Sequence, residues 1–331
     1  MFLRLMFLAP AVLLVTVQFG LGGGPSVTND PGSTLLKVTG EKRLTKDVGE
    51  EFGAVWSPDG KKLAYGVHPP NQGMSLWVMN ADGRRKKNLT GGMLAGSWNP
   101  TWSPDGSKIA FNAPGKGSYD IWVMDATGAS PRPLTDHPAE DVYPAWSPDG
   151  KTIAFFSLRE EAAIWLMNAD GSDQRQRTFE GFGDWAPAWH PDGTKLAFAS
   201  RRGTNNASEP EMKEKGINLF EPKGGTLFML DLSTNEMTPL THGQTDDWRP
   251  AWSPDGQKIA FTSSRAGNRD IWVMDVDGTH LQQLTNSPGE DRLPSWSPDG
   301  AKIAFTSDRL KPHDYDVWVI TVERQPVGEV K

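Results

Sequence analysis

At 331 residues the chain is long enough for one large domain, and length alone does not call for two. A net charge of −7 excludes nucleic acid as a partner, because phosphate binding needs a basic face. The absence of cysteine removes disulfides, thiolate metal sites and cysteine nucleophiles together.

The chain opens with an export pattern. Met1–Arg4 carries one positive charge, an apolar stretch runs from Leu5 to about Val17, and a glycine-rich segment follows at Gly20–Gly24. The apolar core is shorter than the ~20 residues that a membrane span needs. Residues 1–24 are therefore expected to be a signal peptide or an uncleaved N-terminal anchor, the only expected link to a membrane. Residues 25–33 read as a flexible lead-in. The expected location is periplasmic or secreted. Residues 34–45 then read as a glycine turn and a strand that closes in Leu44-Thr45.

From there one stretch recurs. Trp-Ser-Pro-Asp-Gly stands at Trp56–Gly60, Trp102–Gly106, Trp146–Gly150, Trp252–Gly256 and Trp296–Gly300, and Trp189–Gly193 has His190 in place of Ser. The Trp-to-Trp spacings are 46, 44, 43, 63 and 44. Proline pre-sets the first corner of a turn, aspartate bonds its own backbone, and glycine takes the left-handed position that closes the turn. Each motif is thus a hairpin turn, with the tryptophan ending one strand and a short apolar run such as Lys258-Ile259-Ala260-Phe261 beginning the next.

A second signature follows each turn: Leu76–Met79, Ile121–Met124, Ile164–Met167, Leu227–Leu230, Ile271–Met274 and Val317–Ile320. It reads as a third strand, apolar on both faces. A more polar strand then ends in Leu-Thr at Leu89-Thr90, Leu134-Thr135, Leu240-Thr241 and Leu284-Thr285, and in Arg177-Thr178 in the third copy. Four strands per repeat and six repeats predict an all-β fold, a six-bladed β-propeller of four-stranded antiparallel blades over residues 34–331. The last repeat runs out without a Leu-Thr ending. The expected solution is ring closure, with the N-terminal strand near Lys42–Thr45 as the outer strand of blade six; the alternative is a strand of its own from Arg324–Val330. The spacing of 63 marks an insertion in blade four, residues 201–225, read as a surface loop or a short apolar lid.

The pattern Pro-x-Trp-Ser-Pro-Asp-Gly-x-x-Ile-Ala-Phe, then Asp-Ile-Trp-Val-Met-Asp, is carried almost residue for residue by Pro250–Asp275. It resembles the propeller repeat of the TolB family, and it is similar to repeats of prolyl-oligopeptidase-type and tricorn-type proteases. The resemblance covers about residues 34–331. It implies a six-bladed TolB-like propeller, here without the N-terminal α/β domain of TolB, and a periplasmic or extracellular setting. The Gly-x-Ser-x-Gly elbow of the peptidases does not occur.

Candidate site residues come from the positions before each motif tryptophan. Five residues back stand Glu51, Ser97, Asp141, Asp184, Asp247 and Asp291, and the next position adds Trp98, Trp185 and Trp248. The reading is an acidic, aromatic-rimmed channel mouth formed by Glu51, Trp98, Asp141, Asp184, Trp185, Asp247, Trp248 and Asp291. Clustered carboxylates focus negative potential, and tryptophan faces hold cations. The alternative is that the acids cap turns and the tryptophans pack between blades. Among cofactors only Ca²⁺ is considered, because adjacent acids could share one ion; the expectation is no cofactor. The expected function is non-catalytic binding of an envelope protein or peptide by a monomer. The competing function is a propeller hydrolase or lyase acting on polysaccharide or peptide at the same mouth. His137 and His242 sit in inter-blade loops and are too few for a histidine-rich metal site.

Overall fold

The computed structural model describes residues 34–47, 49–92, 94–179, 183–202, 225–242 and 245–326. They form six four-stranded antiparallel sheets and no helix. The expected signal segment, the lead-in and residues 203–224 of the blade-four insertion lie outside the described residues.

The repeated turn forms for the reasons its residues suggest. In the first copy Ser57 Oγ donates to Asp59 Oδ1 (2.6 Å) and accepts from the Lys62 amide (2.9 Å), and Asp59 Oδ1 accepts from the Lys61 amide (3.0 Å). Gly60 closes the turn at φ 69°. The same serine–aspartate pair recurs in the other four copies that keep the serine.

Four of the motif tryptophans then fasten their blade to the one before it. Trp102 Nε1 donates to the Val55 carbonyl (3.2 Å), Trp189 to Ala145 (3.0 Å), Trp252 to Ala188 (3.1 Å) and Trp296 to Ala251 (3.2 Å). The acceptor in each case is the residue before the preceding motif tryptophan. The turn glycine of one blade also packs on the turn proline of the blade before it. The Cβ position of Gly106 lies 3.7 Å from Pro58, and that of Gly60 lies 3.7 Å from Pro298, which brings blade one against blade six.

The Leu-Thr endings have a specific task. The hydroxyls of Thr90, Thr135, Thr178, Thr241 and Thr285 accept from the third-strand amides of Leu76, Ile121, Ile164, Leu227 and Ile271 at 2.9–3.0 Å. In the sixth blade Thr45, from the N-terminal side, accepts from Val317 at 2.8 Å. That blade consists of Asp291–Trp296, Lys302–Ser307 and Asp316–Pro326, with Thr34–Arg43 as its fourth strand. Pairing runs from Thr34 opposite Pro326 to Arg43 opposite Trp318, so Arg324 belongs to the third strand. The outer strands of the other blades are only two or three residues long, as at Lys87–Asn88 and Met237–Pro239.

The apolar core lies between blades. Leu63, Tyr65 and Met79 of blade one share a buried cluster with Ala304, Val317 and Val319 of blade six.

In every blade the innermost strand carries an irregularity at the same place. Its register with the second strand shifts between Phe52 and Val55, between Trp98 and Thr101, and at the matching positions of the other four blades. The first residue inside each shift has a left-handed backbone: Gly53, Asn99, Tyr143, Ala186, Arg249 and Leu293, with φ between 52° and 65°. A bulge of this kind re-aims a side chain, and here six of them stand around the ring axis.

The second turn of each blade supplies a stability test. Gly171 has φ 96°, and a Cβ there would stand 2.7 Å from the Leu134 carbonyl oxygen of the preceding blade. Gly171→Ala is expected to lower the unfolding free energy by about 1–3 kcal/mol, through backbone strain and the clash together. Denaturant unfolding of the wild type and the variant measures it; equal midpoints would contradict the packing described.

Candidate functional site: the mouth of the central channel

The structure places the expected acids below the channel surface. Glu51, Asp141, Asp247 and Asp291 are 0% exposed and Asp184 is 1% exposed. None lines either channel cavity. They do not form the expected ring of mouth carboxylates, and for the four aspartates the reason is ion pairing within the blade. Asp141 Oδ2 meets Arg159 Nη2 at 2.8 Å, Asp184 meets Arg202 at 2.7 Å, and Asp247 and Asp291 meet Arg265 and Arg309 at 2.8 Å. Ser200 Oγ donates to Asp184 (2.6 Å), and Ser263 Oγ donates to Asp247.

Three of the guanidinium groups also lie on aromatic rings. Arg159 covers Trp165 (4.7 Å) and Phe155 (5.7 Å), Arg265 covers Trp272 (5.0 Å) and Phe261 (5.3 Å), and Arg309 covers Trp318 (4.6 Å) and Phe305 (5.2 Å). A sequence signal for this network exists. In blades three to six the serine falls 16 and the arginine 18 positions after the acid, as in Asp184, Ser200 and Arg202. Blade one has Val67 and Pro69 at those positions, and blade two has Ser97 instead of an acid.

Two cavities lie along the channel among the described residues. The mouth chamber, of about 320 Å³, is walled by Phe52, Met74, Trp98, Trp248, Leu293 and Tyr315, with Glu50, His68, Asn99, Arg249 and Arg292 as its charged and polar members. The second, of about 340 Å³, opens toward the Ser-Pro-Asp-Gly turns and is lined by Pro100, Pro144, Pro187, Pro250 and Pro294. Gly53, Asn99, Arg249 and Leu293 line both and so form the partition between them. All four are left-handed bulge residues.

Thus Trp98 and Trp248, of the eight expected site residues, reach the mouth chamber. Trp185, no more buried than these two, lines neither cavity, and the Arg201 guanidinium lies 5.5 Å from its ring centroid. The residue two positions after each acid, which proved to face the channel, was missed. Its signal was the proline that follows it in five blades, because proline inside a paired strand marks a bulge or an edge.

The charges at the mouth are of both signs. Arg292 pairs with Glu290 and lies 5.0 Å from the Tyr315 ring centroid, Arg269 bridges Asp246 (2.9 Å) and Glu290 (3.6 Å), and Glu50 stands 3.6 Å from His68. His137 Nδ1 accepts from the Ala139 amide, and His242 is exposed on its loop. Among the described residues no group of three or more His, Asp or Glu side chains is placed to hold a metal ion.

The family model described as TolB beta propeller domain matches residues 52–219 and 209–319. The chain belongs to that family. A putative TolB from Agrobacterium tumefaciens is 22% identical with a TM-score of 0.64, over 88% of this chain and 99% of that one. TolB from Acinetobacter baumannii is 19% identical with a TM-score of 0.60, over 84% of this chain and 65% of that one. The oligogalacturonate lyase of Vibrio parahaemolyticus is 14% identical with a TM-score of 0.52, over 89% and 98%. At these identities the likeness is one of fold. No curated protein matches the chain.

Glu51 is a buried carboxylate with no ion pair among the described residues. Neither oxygen of Glu51 meets a hydrogen-bond donor in good geometry, and Thr45 lends it only a weak one. Burial, and then the charges of Asp316 and Asp47, push its pKa up to about 8, against a smaller opposing effect of Lys86. Related crowding raises Asp120, through burial and the Asp141 charge, and Asp270, through burial and the Asp291 charge, each to about 6. In all three cases an acid starting the third strand of one blade faces the first-strand acid of the next.

Glu51 makes a pH-dependent prediction. Its folded pKa of about 8 lies above the ordinary 4.5, so the unfolded chain loses the proton first. The stability linked to it is full below about pH 4.5, falls as the pH rises toward about 8 and is level above. Glu51→Gln is expected to match the wild type at pH 4 and to exceed it at pH 8 by more than about 1 kcal/mol, the worth of one pKa unit. Denaturant unfolding across that range measures the difference; a difference independent of pH would contradict the assignment.

Proposed function

We propose that the protein is a non-catalytic binding propeller of the cell envelope that takes a peptide segment or partner loop into the mouth chamber. The observation that carries this reading is the chamber itself: about 320 Å³, aromatic on its walls, open on one face of the ring and floored by Arg249. Rigid aromatic side chains in a concave site supply contact area at little entropic cost, and they dominate protein–peptide interfaces. The expected partner is an envelope protein or peptide. The envelope setting, periplasmic or secreted, rests on the charged, apolar and glycine-rich order of residues 1–24. A single copy of the chain carries the whole site. The oppositely charged groups of the mouth orient the guest, in place of the purely acidic rim expected from the sequence.

The test is selection of peptides from a displayed library on the purified protein, followed by calorimetric titration. Phe52→Ala and Tyr315→Ala are expected to weaken the selected peptides by about 2 kcal/mol each, some 30-fold, as for contact residues of a hot spot. Thermal unfolding of each variant checks that the ring is intact. Selected peptides whose affinity is indifferent to both changes would place binding elsewhere and defeat the reading.

A further inference from the structure

One charge at the centre of the ring has no counter-charge. Arg159, Arg202, Arg265, Arg269, Arg292 and Arg309 each hold a carboxylate. Arg249 has no carboxylate partner among the described residues. It projects from its left-handed bulge in blade five and reaches across the channel, where Nη2 donates to Asn99 Oδ1 of blade two at 2.6 Å. Its guanidinium also lies 4.1 Å from the centroid of the Tyr143 ring of blade three. Burial pulls its pKa below the ordinary range, the direction expected of a cation held without an anion.

Two donors at this point are idle. Arg249 Nε and Asn99 Nδ2 are both buried without an acceptor. The orientation of the Asn99 amide is fixed by its own bond to Arg249, so Nδ2 is a donor. A buried donor left without an acceptor is costly, and more so next to a charge. Both residues line the floor of the mouth chamber, whose walls are Phe52, Trp98, Trp248 and Tyr315. Donors below and aromatic faces above are complementary to one kind of molecule.

We propose that the floor of the chamber is an anion site, and that its ligand is an amphipathic carboxylate. The acid group sits on Arg249 and Asn99, and the aromatic or branched apolar body fills the chamber above. The proposal rests on the reading that the chamber is a binding site and narrows it. A peptide whose last residue is aromatic and whose C-terminal carboxylate is free meets both requirements. Glu50 at the edge of the same chamber works against a second carboxylate there. The guanidinium fork accepts a carboxylate in a planar, charge-assisted arrangement, which a neutral amide cannot reproduce.

The experiment uses two probes of one shape, 3-phenylpropionate and 3-phenylpropionamide, titrated against the full chain. Saturation-transfer NMR and thermal unfolding serve as readouts. The wild type is expected to bind the acid at least about tenfold more tightly than the amide, a difference of about 1.4 kcal/mol. Arg249→Gln is expected to abolish that preference, bringing the affinity for the acid down to that for the amide. Asn99→Gly, which keeps the left-handed backbone accessible, is expected to reduce it and stands in if Arg249→Gln fails to fold. Failure of the wild type to bind the acid, equal binding of acid and amide, or a preference that survives both substitutions would overturn the proposal. Peptides that bind the chamber without regard to a free carboxylate would leave the binding site standing and remove the anion site. Acid-specific binding of the small probe with no peptide binder would do the reverse.

Discussion

A ring of blades crowds the starts of its innermost strands into a narrow, dry space. In four blades an aspartate occupies that start, and the whole arrangement depends on its being neutralised on the spot. A charge buried without a partner costs several kcal/mol. Blades three to six meet this with an arginine at the end of the second strand, a serine beside it and, in three of them, aromatic rings under the guanidinium. The network locks three strands of a blade at their channel ends. It also withdraws these acids from the surface, so the electrostatic character of the mouth is set by other residues.

The two blades without the network define the unusual side of the ring. Blade two has Ser97 at the acid position, and its hydroxyl simply donates to the Leu94 carbonyl. Blade one keeps an acid, Glu51, but has lost both serine and arginine, and it faces Asp316 across the seam where the N-terminal and C-terminal parts of the chain meet. The mouth chamber lies partly on this side, with Phe52, His68 and Met74 from blade one and Trp98 from blade two.

The fold was legible because its determinants are local and repeated. Proline, aspartate and glycine dictate the turn wherever they occur, and the Leu-Thr endings could be counted until one was found at the wrong end of the chain. The site was only partly legible. The acid and aromatic positions recur at fixed offsets in the sequence, but a list of acids carries no information about what faces them. The facing arginine lies 18 residues on, across a hairpin, and only the pairing of strands makes the two adjacent. Arg249 was harder still. Its importance follows from a bulge that turns it toward the axis, and from contacts with residues 150 positions away.

The central claim is that each first-strand aspartate ties together the strands of its own blade, leaving the chamber to the bulge residues. Equilibrium unfolding of Asp247→Asn, alone and combined with Arg265→Met, tests it most directly. The account predicts a loss of about 3–5 kcal/mol for the single change, because a buried guanidinium is stranded, and recovery of much of it in the pair. An Asp247→Asn variant within about 0.5 kcal/mol of the wild type, as for an ordinary surface substitution, would contradict it.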